Sequence, residues 1–196
     1  MPPNKCGAGG LYFKVIQLIF QMHPEITTER LKLRLIQPSD ARFILQGLSD
    51  GQVTRYYAVH YDTMEAVQEQ MRFYEQLLQE GTGAWWGFSL KDDDQLIGAC
   101  GYSSLEKEHR KAEIGFWLLP AYWGKGYIPE AARAIVKYGF ESMNLNRIEA
   151  IVEGGNEQSE QVLKKIGFAY EGRLREREIK NGQYIDLIYY SILKEK

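Results

Sequence analysis

The sequence predicts an α/β fold of the α+β type, in which a mixed, mostly antiparallel sheet of six to seven strands is flanked by about four helices. Three β-rich segments follow one another between positions 85 and 118. A long amphipathic helix starts after a glycine-rich turn at positions 124–126, and two more β-rich segments surround Asn181 and Gly182. Runs of neighbouring strands interrupted by one long helix are typical of such a sheet.

The elements in the first half of the fold are predicted from alternating hydropathy and from residues that begin or end helices. Residues 31–35 alternate apolar and charged side chains, so this strand has one buried face. Pro38 and Asp40 supply a helix start, and Gly81 ends a second helix. Short charged turns separate the three strands that follow, which makes them antiparallel neighbours. The predicted strands are residues 31–35, 85–91, 95–103 and 111–118, and the predicted helices are residues 41–48 and 63–79.

The second half contains the most regular helix. Apolar residues recur at helical spacing from Ile128 to Phe140, and this helix is expected to pack on the sheet as the one crossover between parallel strands. Asn156 is a good N-cap for a short helix, and Asn181-Gly182 predicts a tight hairpin turn. The predicted helices are residues 128–140 and 156–166, and the predicted strands are residues 147–153, 168–179 and 184–193.

Composition and charge restrict the class of protein. The 196 residues are 44% hydrophobic and 26% charged, which is typical of one soluble globular domain. We expect residues 1–22 to be an N-terminal extension, with Met22 as an alternative start, and residues 23–196 to be the domain. The apolar residues 11–20 are too few to cross a bilayer, so no membrane partner is expected.

Nucleic acid and metal chemistry are also disfavoured. The formal charge is −2, and no run of lysine and arginine offers a surface for phosphate backbones. Cys6 and Cys100 have no metal-ligand spacing, and the histidines are isolated, so we predict no metal site. Cys100 lies in an apolar strand and is expected to be a buried, inert thiol. This cysteine usage fits a reducing, cytoplasmic setting.

The segment WGKGY at positions 123–127 predicts a binding site for an anion. It opens a helix, so free backbone N–H groups and the positive end of the helix dipole meet there. Gly124 and Gly126 let a phosphate approach the main chain, and Lys125 adds charge. A P-loop requires Ser or Thr after the lysine, and Pro129 replaces the last glycine of GxGxxG, so both patterns are excluded. A plain tight turn is the alternative interpretation.

The sequence around this turn resembles the coenzyme A motif of the GNAT superfamily of N-acyltransferases. The matching segments are EIGFWL at 113–118 and YWGKGYIPEA at 122–131. Three further segments resemble the branch that acetylates the N-terminal serine or alanine of ribosomal proteins, and they are NEQS at 156–159, LKKIGF at 163–168 and EG at 171–172. The resemblance spans about residues 26–193. Trp123 and Ile128 depart from the superfamily pattern, which has Gln or Arg and then Gly or Ala at these outer positions.

This resemblance implies a GNAT-like fold and acetyl-CoA as co-substrate, without a metal. The substrate amine then attacks the thioester directly, and the strand that ends at Leu118 splays from residues 147–153 so that the pantetheine arm can pair with it. The residues implied in coenzyme binding are Phe116, Trp117, Leu118, Trp123, Gly124, Lys125, Gly126, Tyr127, Ile128, Asn156 and Ser159.

Three residues are candidates for proton transfer. The resemblance implies Glu178 as the general base and Ser159 as the acid that protonates the thiolate, with Glu113 as the alternative base because other GNAT enzymes use a carboxylate there. Each has a simpler interpretation. Glu178 lies in the charge-alternating run RERE and could face water, and Ser159 could be an ordinary helix residue.

The acceptor is expected to be a primary amine, most simply a protein N-terminus. An α-amine with a pKa of about 8 is neutral in roughly a tenth of molecules at pH 7, whereas a lysine at about 10.4 almost never is. A small amine (polyamine, amino sugar or antibiotic) and a CoA-binding module without catalysis are the alternatives, and a homodimer is left open. The expected walls of the acceptor site are Tyr56, Tyr57, His60, Tyr61, Trp85, Trp86 and the turn at 180–183.

Overall fold

The computed structural model describes residues 24–195 and contains one eight-stranded sheet in the order β1-β2-β3-β4-β5-β6-β8-β7. The strands are β1 (Ile26–Thr27), β2 (Leu31–Leu35), β3 (Ala84–Leu90), β4 (Leu96–Glu106), β5 (Lys111–Leu118), β6 (Arg147–Glu153), β7 (Ala169–Lys180) and β8 (Gln183–Leu193). The α-helices are α1 (Ala41–Leu48), α2 (Gly51–Thr54), α3 (Met64–Glu80), α4 (Tyr127–Glu141) and α5 (Glu157–Lys165). The predicted fold class is confirmed.

The number of elements exceeds the prediction by one strand and one helix. The added strand, β1, has two residues, which is too short for an alternating pattern to show. The added helix, α2, has four residues and begins after Asp50, whose side chain accepts a hydrogen bond from the N–H of Gln52. An Asp-Gly pair is more typical of a turn than of a helix start, so this cap was not predicted. The first 23 residues, which include the whole of the expected extension, lie outside the described residues.

Neighbouring strands β5 and β6 diverge after a short paired segment. They form the one parallel pair of the described sheet, and their register covers only Lys111–Arg147, Ala112–Ile148 and Glu113–Glu149. Beyond Glu113 and Glu149 the two strands no longer pair with each other, although β5 stays paired with β4 to Leu118 and β6 stays paired with β8 to Glu153. We call this divergence the fork, and it confirms the predicted splay.

The sheet carries a separate apolar core on each face. Helices α4 and α5 pack on one face against side chains such as Trp86, Tyr102 and Ile114. Helices α1 and α3 pack on the other, where Trp117 stacks on Phe43 with ring centroids 5.0 Å apart. Alternate residues of β3 and β5 therefore belong to opposite cores, as a strand requires. Cys100 is fully buried, as expected, and this burial raises the pKa of its thiol.

The hairpin of β7 and β8 combines a regular turn with an irregular edge. Asn181 and Gly182 have φ of 51° and 75°, the left-handed values that a two-residue hairpin turn needs. Along β7, however, Leu174 pairs with Leu187 and Glu178 with Ile185, so one strand has two more residues than the other between these pairs. The N–H of Glu176 in this bulge donates to Asp186 at 2.7 Å. The bulge decides the position of Glu178.

Candidate active site

The predicted phosphate turn has the geometry of an open anion cradle. Gly124 and Gly126 have φ of 73° and 79°, which an L side chain rarely adopts. A Cβ added at Gly124 would meet nothing within 4 Å, so the space above the turn is free. Within residues 24–195 the N–H groups of Gly124, Lys125 and Gly126 have no hydrogen-bond acceptor, and α4 begins at the next residue. We call residues 123–127 the glycine turn.

The side chains of Trp123 and Lys125 attach the glycine turn to the segment that precedes it. The indole N–H of Trp123 donates to the carbonyl of Leu118 at 2.7 Å, which gives this departure from the family pattern a structural role. The ammonium of Lys125 donates to the carbonyl of Ala121 at 3.1 Å and lies 5.3 Å from the ring centroid of Tyr122. Lys125 therefore supports the turn, and its side chain faces a separate groove.

Glu130, in the first turn of α4, anchors the glycine turn to the start of the domain. Its carboxylate accepts hydrogen bonds from the Thr28 hydroxyl at 2.6 Å and from the N–H and Nε of Arg30 at 2.8 and 2.6 Å. Arg30 also donates to the carbonyl of Lys125 at 3.0 Å. Burial raises the pKa of Glu130, but the hydrogen bonds from Thr28 and Arg30 outweigh it, so that the pKa is lowered overall.

Glu130→Gln is expected to lower the free energy of unfolding by about 1–3 kcal/mol at neutral pH, because charged hydrogen bonds are lost. A lowered carboxyl pKa stabilises the fold above its unfolded value of 4.5 and stops doing so as pH falls through the folded value. The difference from the unmodified protein should therefore shrink below pH 4.5. Urea unfolding at pH 7 and at pH 3 measures it.

The matched control is Glu141→Gln on the same helix. Glu141 lies 4.0 Å from Lys137 in an exposed pair, which contributes little stability. If both variants lost the same free energy at both pH values, the anchoring role of Glu130 would be wrong.

A cleft of about 930 Å³ lies between the fork, the glycine turn, the start of α5 and the segment from Gly51 to Tyr57. Every predicted coenzyme-binding residue except Lys125 lines it, namely Phe116, Trp117, Leu118, Trp123, Gly124, Gly126, Tyr127, Ile128, Asn156 and Ser159. The first three residues of α2 and Gly155 line it as well and were not predicted, because residues 49–62 carry no recognisable helix signal. The cleft and the open N–H groups fit a long ligand with phosphates at one end.

Asn156 and Ser159, at the start of α5, both line the cleft, and they differ in the hydrogen bonding of their side chains. The Asn156 side chain accepts a hydrogen bond from the N–H of Ser159 at 3.2 Å, so Asn156 is the N-cap that the sequence predicted. No hydrogen bond of the Ser159 hydroxyl is found within the described part of the chain. Ser159 is half-buried, and its hydroxyl is free to donate to a ligand.

The two candidate bases differ in burial and in place. Glu113 is half-buried in the last residue pair before the fork, beside Glu149. Burial, followed by the negative charges of Glu149 and Glu178, raises the pKa of Glu113. Glu178 is exposed on β7, and neither candidate is part of the cleft lining. The fold brings the two carboxylates near enough to interact electrostatically.

The expected aromatic walls are only partly present. Tyr56 and Tyr57 line the cleft, and burial raises the pKa of the Tyr57 hydroxyl well above its ordinary value. Trp85 and Tyr61 are buried in the core of the α1 and α3 face. Trp86 is fully buried on the opposite face, so its predicted place in the wall is wrong. Residue alternation along β3 makes it impossible for both tryptophans to face one site.

Comparison with known families gives the family of the chain. Residues 30–169 match the family described as "Acetyltransferase (GNAT) domain". The chain belongs to the GNAT family. It is accordingly an N-acetyltransferase that transfers an acetyl group, and the fork and the glycine turn are the parts of this GNAT fold that the sequence motif predicted.

Relatives of this GNAT chain carry different names. It is 38% identical over 178 residues to "Uncharacterized N-acetyltransferase YoaA" of Bacillus subtilis, covering 89% of the chain and 99% of the relative. It is 32% identical to "Putative ribosomal N-acetyltransferase YdaF" of the same species (86% and 93% covered). It is 29% identical to "Spermidine N(1)-acetyltransferase" of Escherichia coli (85% and 87% covered). A GNAT crystal structure from Bacillus anthracis superposes with a TM-score of 0.76 at 30% identity, covering 87% and 98%.

Two features are absent from residues 24–195, a membrane-spanning helix and a cluster of metal ligands. Their helices include none that is both long and apolar enough to span a membrane. They contain no group of three or more His, Cys, Asp or Glu side chains arranged to hold a metal ion.

Proposed function

We propose that this enzyme acetylates the N-terminal α-amine of a protein, such as a ribosomal protein, with acetyl-CoA as donor. The observation that carries the proposal is the half-buried carboxylate of Glu113 at the closed end of the fork, with a pKa raised by burial. The name of the 32% identical relative YdaF supports a ribosomal acceptor.

Donor binding follows from the order of groups along the fork. The N–H groups of the glycine turn are at its open end and suit the pyrophosphate. From Glu113 to Leu118, about 17 Å of β5 leaves the edge that faces β6 unpaired beyond Glu113, which suits an extended pantetheine arm that pairs with main-chain groups. The acetyl group of such a ligand would point toward the closed end, where Glu113 lies.

The proposed reaction is direct transfer. The amine nitrogen attacks the thioester carbonyl, a bond from nitrogen to carbon forms, and the bond from carbon to sulfur breaks. A backbone N–H of β5 stabilises the negative charge on the carbonyl oxygen. A carboxylate takes the amine proton, and the Ser159 hydroxyl passes a proton to the departing thiolate and regains one from solvent, to which the carboxylate later releases its proton. The geometry favours Glu113 as the base, and Glu178, which the family resemblance implies, is the alternative.

The strength of the base favours an α-amine over a lysine-like amine. Deprotonating an amine with a pKa of about 8 at pH 7 costs about 1.4 kcal/mol, whereas an amine at about 10.4 costs about 4.6 kcal/mol. A single carboxylate is a weak base even with a raised pKa. A site with a single carboxylate can therefore deprotonate an α-amine more readily than a lysine-like amine.

A polyamine is the second candidate acceptor, because negative charge is concentrated beside the fork. Burial is the main cause of the raised pKa of Glu113, and the negative charges of Glu149, which is paired with Arg147, and of Glu178 raise it further. A polycation would relieve this repulsion. The name of the 29% identical spermidine acetyltransferase supports this candidate.

A matched acceptor panel tests the proposal. Purified enzyme and acetyl-CoA are incubated with a serine-starting peptide, the same peptide with a blocked N-terminus, or spermidine, and free thiol is measured over time. We expect kcat/KM for the free peptide to exceed that for spermidine by about tenfold or more, given the difference in amine pKa. Equal turnover of the blocked peptide, or a preference for spermidine, would refute the α-amine proposal.

A further inference from the structure

Lys180, at the end of β7, joins two segments that flank the cleft. Its ammonium donates to the carbonyl of Arg55 and to the carboxylate of Glu153, both at 2.7 Å. The Lys180 and Glu153 side chains are only 21% and 15% exposed. These contacts link residues 125 and 27 positions apart in the sequence, so they are tertiary contacts between separate elements.

Each of the two partners is attached to a wall of the cleft. Arg55 follows α2 and leads directly into Tyr56 and Tyr57, which line the cleft on the acceptor side. Glu153 is the last residue of β6, the outer arm of the fork, and the lining residues Gly155 and Asn156 follow it. A Cβ added at Gly155 would lie 3.9 Å from Tyr56, so the two walls approach each other at this point.

The segment from Gly51 to Tyr57 has little local structure of its own to hold it. Its helix has four residues, far fewer than an isolated helix needs for stability. Ordering each residue costs about 1–2 kcal/mol of conformational entropy, which contacts from elsewhere must offset. The Lys180 ammonium supplies two hydrogen bonds with charged character in a largely water-excluded place, where such bonds are strongest.

We propose that Lys180 is a positioning residue for the acceptor, because it fixes Tyr56 and Tyr57 against the β6 arm of the fork. Lys180 contacts no residue of the glycine turn, so we expect its loss to affect the acceptor more than the phosphate end of the donor. The inference rests on the proposed amine acetylation for its kinetic readout. Its structural readout, the order of residues 51–59, is independent of which amine reacts.

The test compares Lys180→Met with Lys180→Arg. In the methionine variant, KM for the serine-starting peptide is expected to rise about tenfold, because a charged hydrogen-bond pair is lost. The kcat value and CoA affinity should change little. The arginine variant keeps the charge and can donate to both partners, so it should recover most of the KM. Hydrogen exchange of residues 51–59 should be faster in the methionine variant than in the arginine variant.

Lys194→Met is the matched control, since the Lys194 ammonium also donates to a distant carbonyl, that of Phe140 at 2.9 Å, but away from the cleft. It should change neither KM nor exchange at 51–59. Unchanged exchange at 51–59 in Lys180→Met, or an equal rise of KM in Lys194→Met, would overturn the proposal. If the unmodified enzyme prefers spermidine, the α-amine proposal has failed before any variant is tested. KM of each variant is then measured with spermidine, so the role of Lys180 is tested separately.

Discussion

Glu113→Gln is expected to lower kcat about 100-fold or more, the contribution typical of a general base. The affinity for CoA should stay nearly constant, because Glu113 is not part of the cleft lining. A base must be deprotonated, so kcat/KM should fall as pH drops through the pKa of Glu113, which lies above 4.5. Steady-state rates from pH 4.5 to 8.5 should show a second, steeper fall below the pKa of Glu113 in the unmodified enzyme, whereas only the fall caused by protonation of the amine itself should remain in the variant.

The same substitution at Glu178 is the matched comparison, since both carboxylates lie near the fork and differ chiefly in burial. We expect Glu178→Gln to retain the steeper fall at low pH and to change kcat only a few-fold. A large loss of kcat in Glu178→Gln, with Glu113→Gln nearly unaffected, would assign the base to Glu178. Removing Glu178 should also lower the pKa of Glu113, because one nearby negative charge is lost.

Gly126→Val is expected to weaken CoA binding about 100-fold. A side chain at a φ of 79° costs about 1–2 kcal/mol, and a branched one costs more, so the turn would change shape. The valine would also occupy space beside the N–H groups that suit the pyrophosphate. Titration calorimetry with CoA measures the loss directly.

Gly81→Val separates this effect from a general loss of stability. Gly81 ends α3 at a φ of 65°, and a Cβ there would approach only the flexible end of Lys107. Both variants should unfold more easily, but only Gly126→Val should lose affinity for CoA. Equal affinities in the two variants would mean that the glycine turn does not bind the donor.

Local signals in the sequence predicted the parts of the site that depend on neighbouring residues. The Asn156 cap, the Asn181-Gly182 turn and the glycine turn each need only a few adjacent residue types, and all three are present. The position of Glu178 was less accessible, because it depends on a bulge set by a hydrogen bond from Glu176 to Asp186. No local pattern records how many residues of β7 oppose those of β8.

Charged and aromatic residues predicted the contacts of their side chains less well than turn residues predicted the turns. Lys125 was predicted to add charge at the phosphate site, and in the fold its ammonium donates to the carbonyl of Ala121. Trp86 looked like part of a wall, but the pleat of β3 turns it into the core. A long side chain can reach several partners, and only the three-dimensional fold decides among them.

The fork also has a consequence for the cooperativity of the whole domain. Three residue pairs are all that connect the sheet of β1–β5 with the sheet of β6, β8 and β7 at this boundary. A donor whose arm pairs with both strands would complete the hydrogen bonding between the halves, in the manner of a missing ninth strand. The substrate would then add to the core on the α4 and α5 face, which already joins the two halves, and its binding would stabilise the whole domain against unfolding.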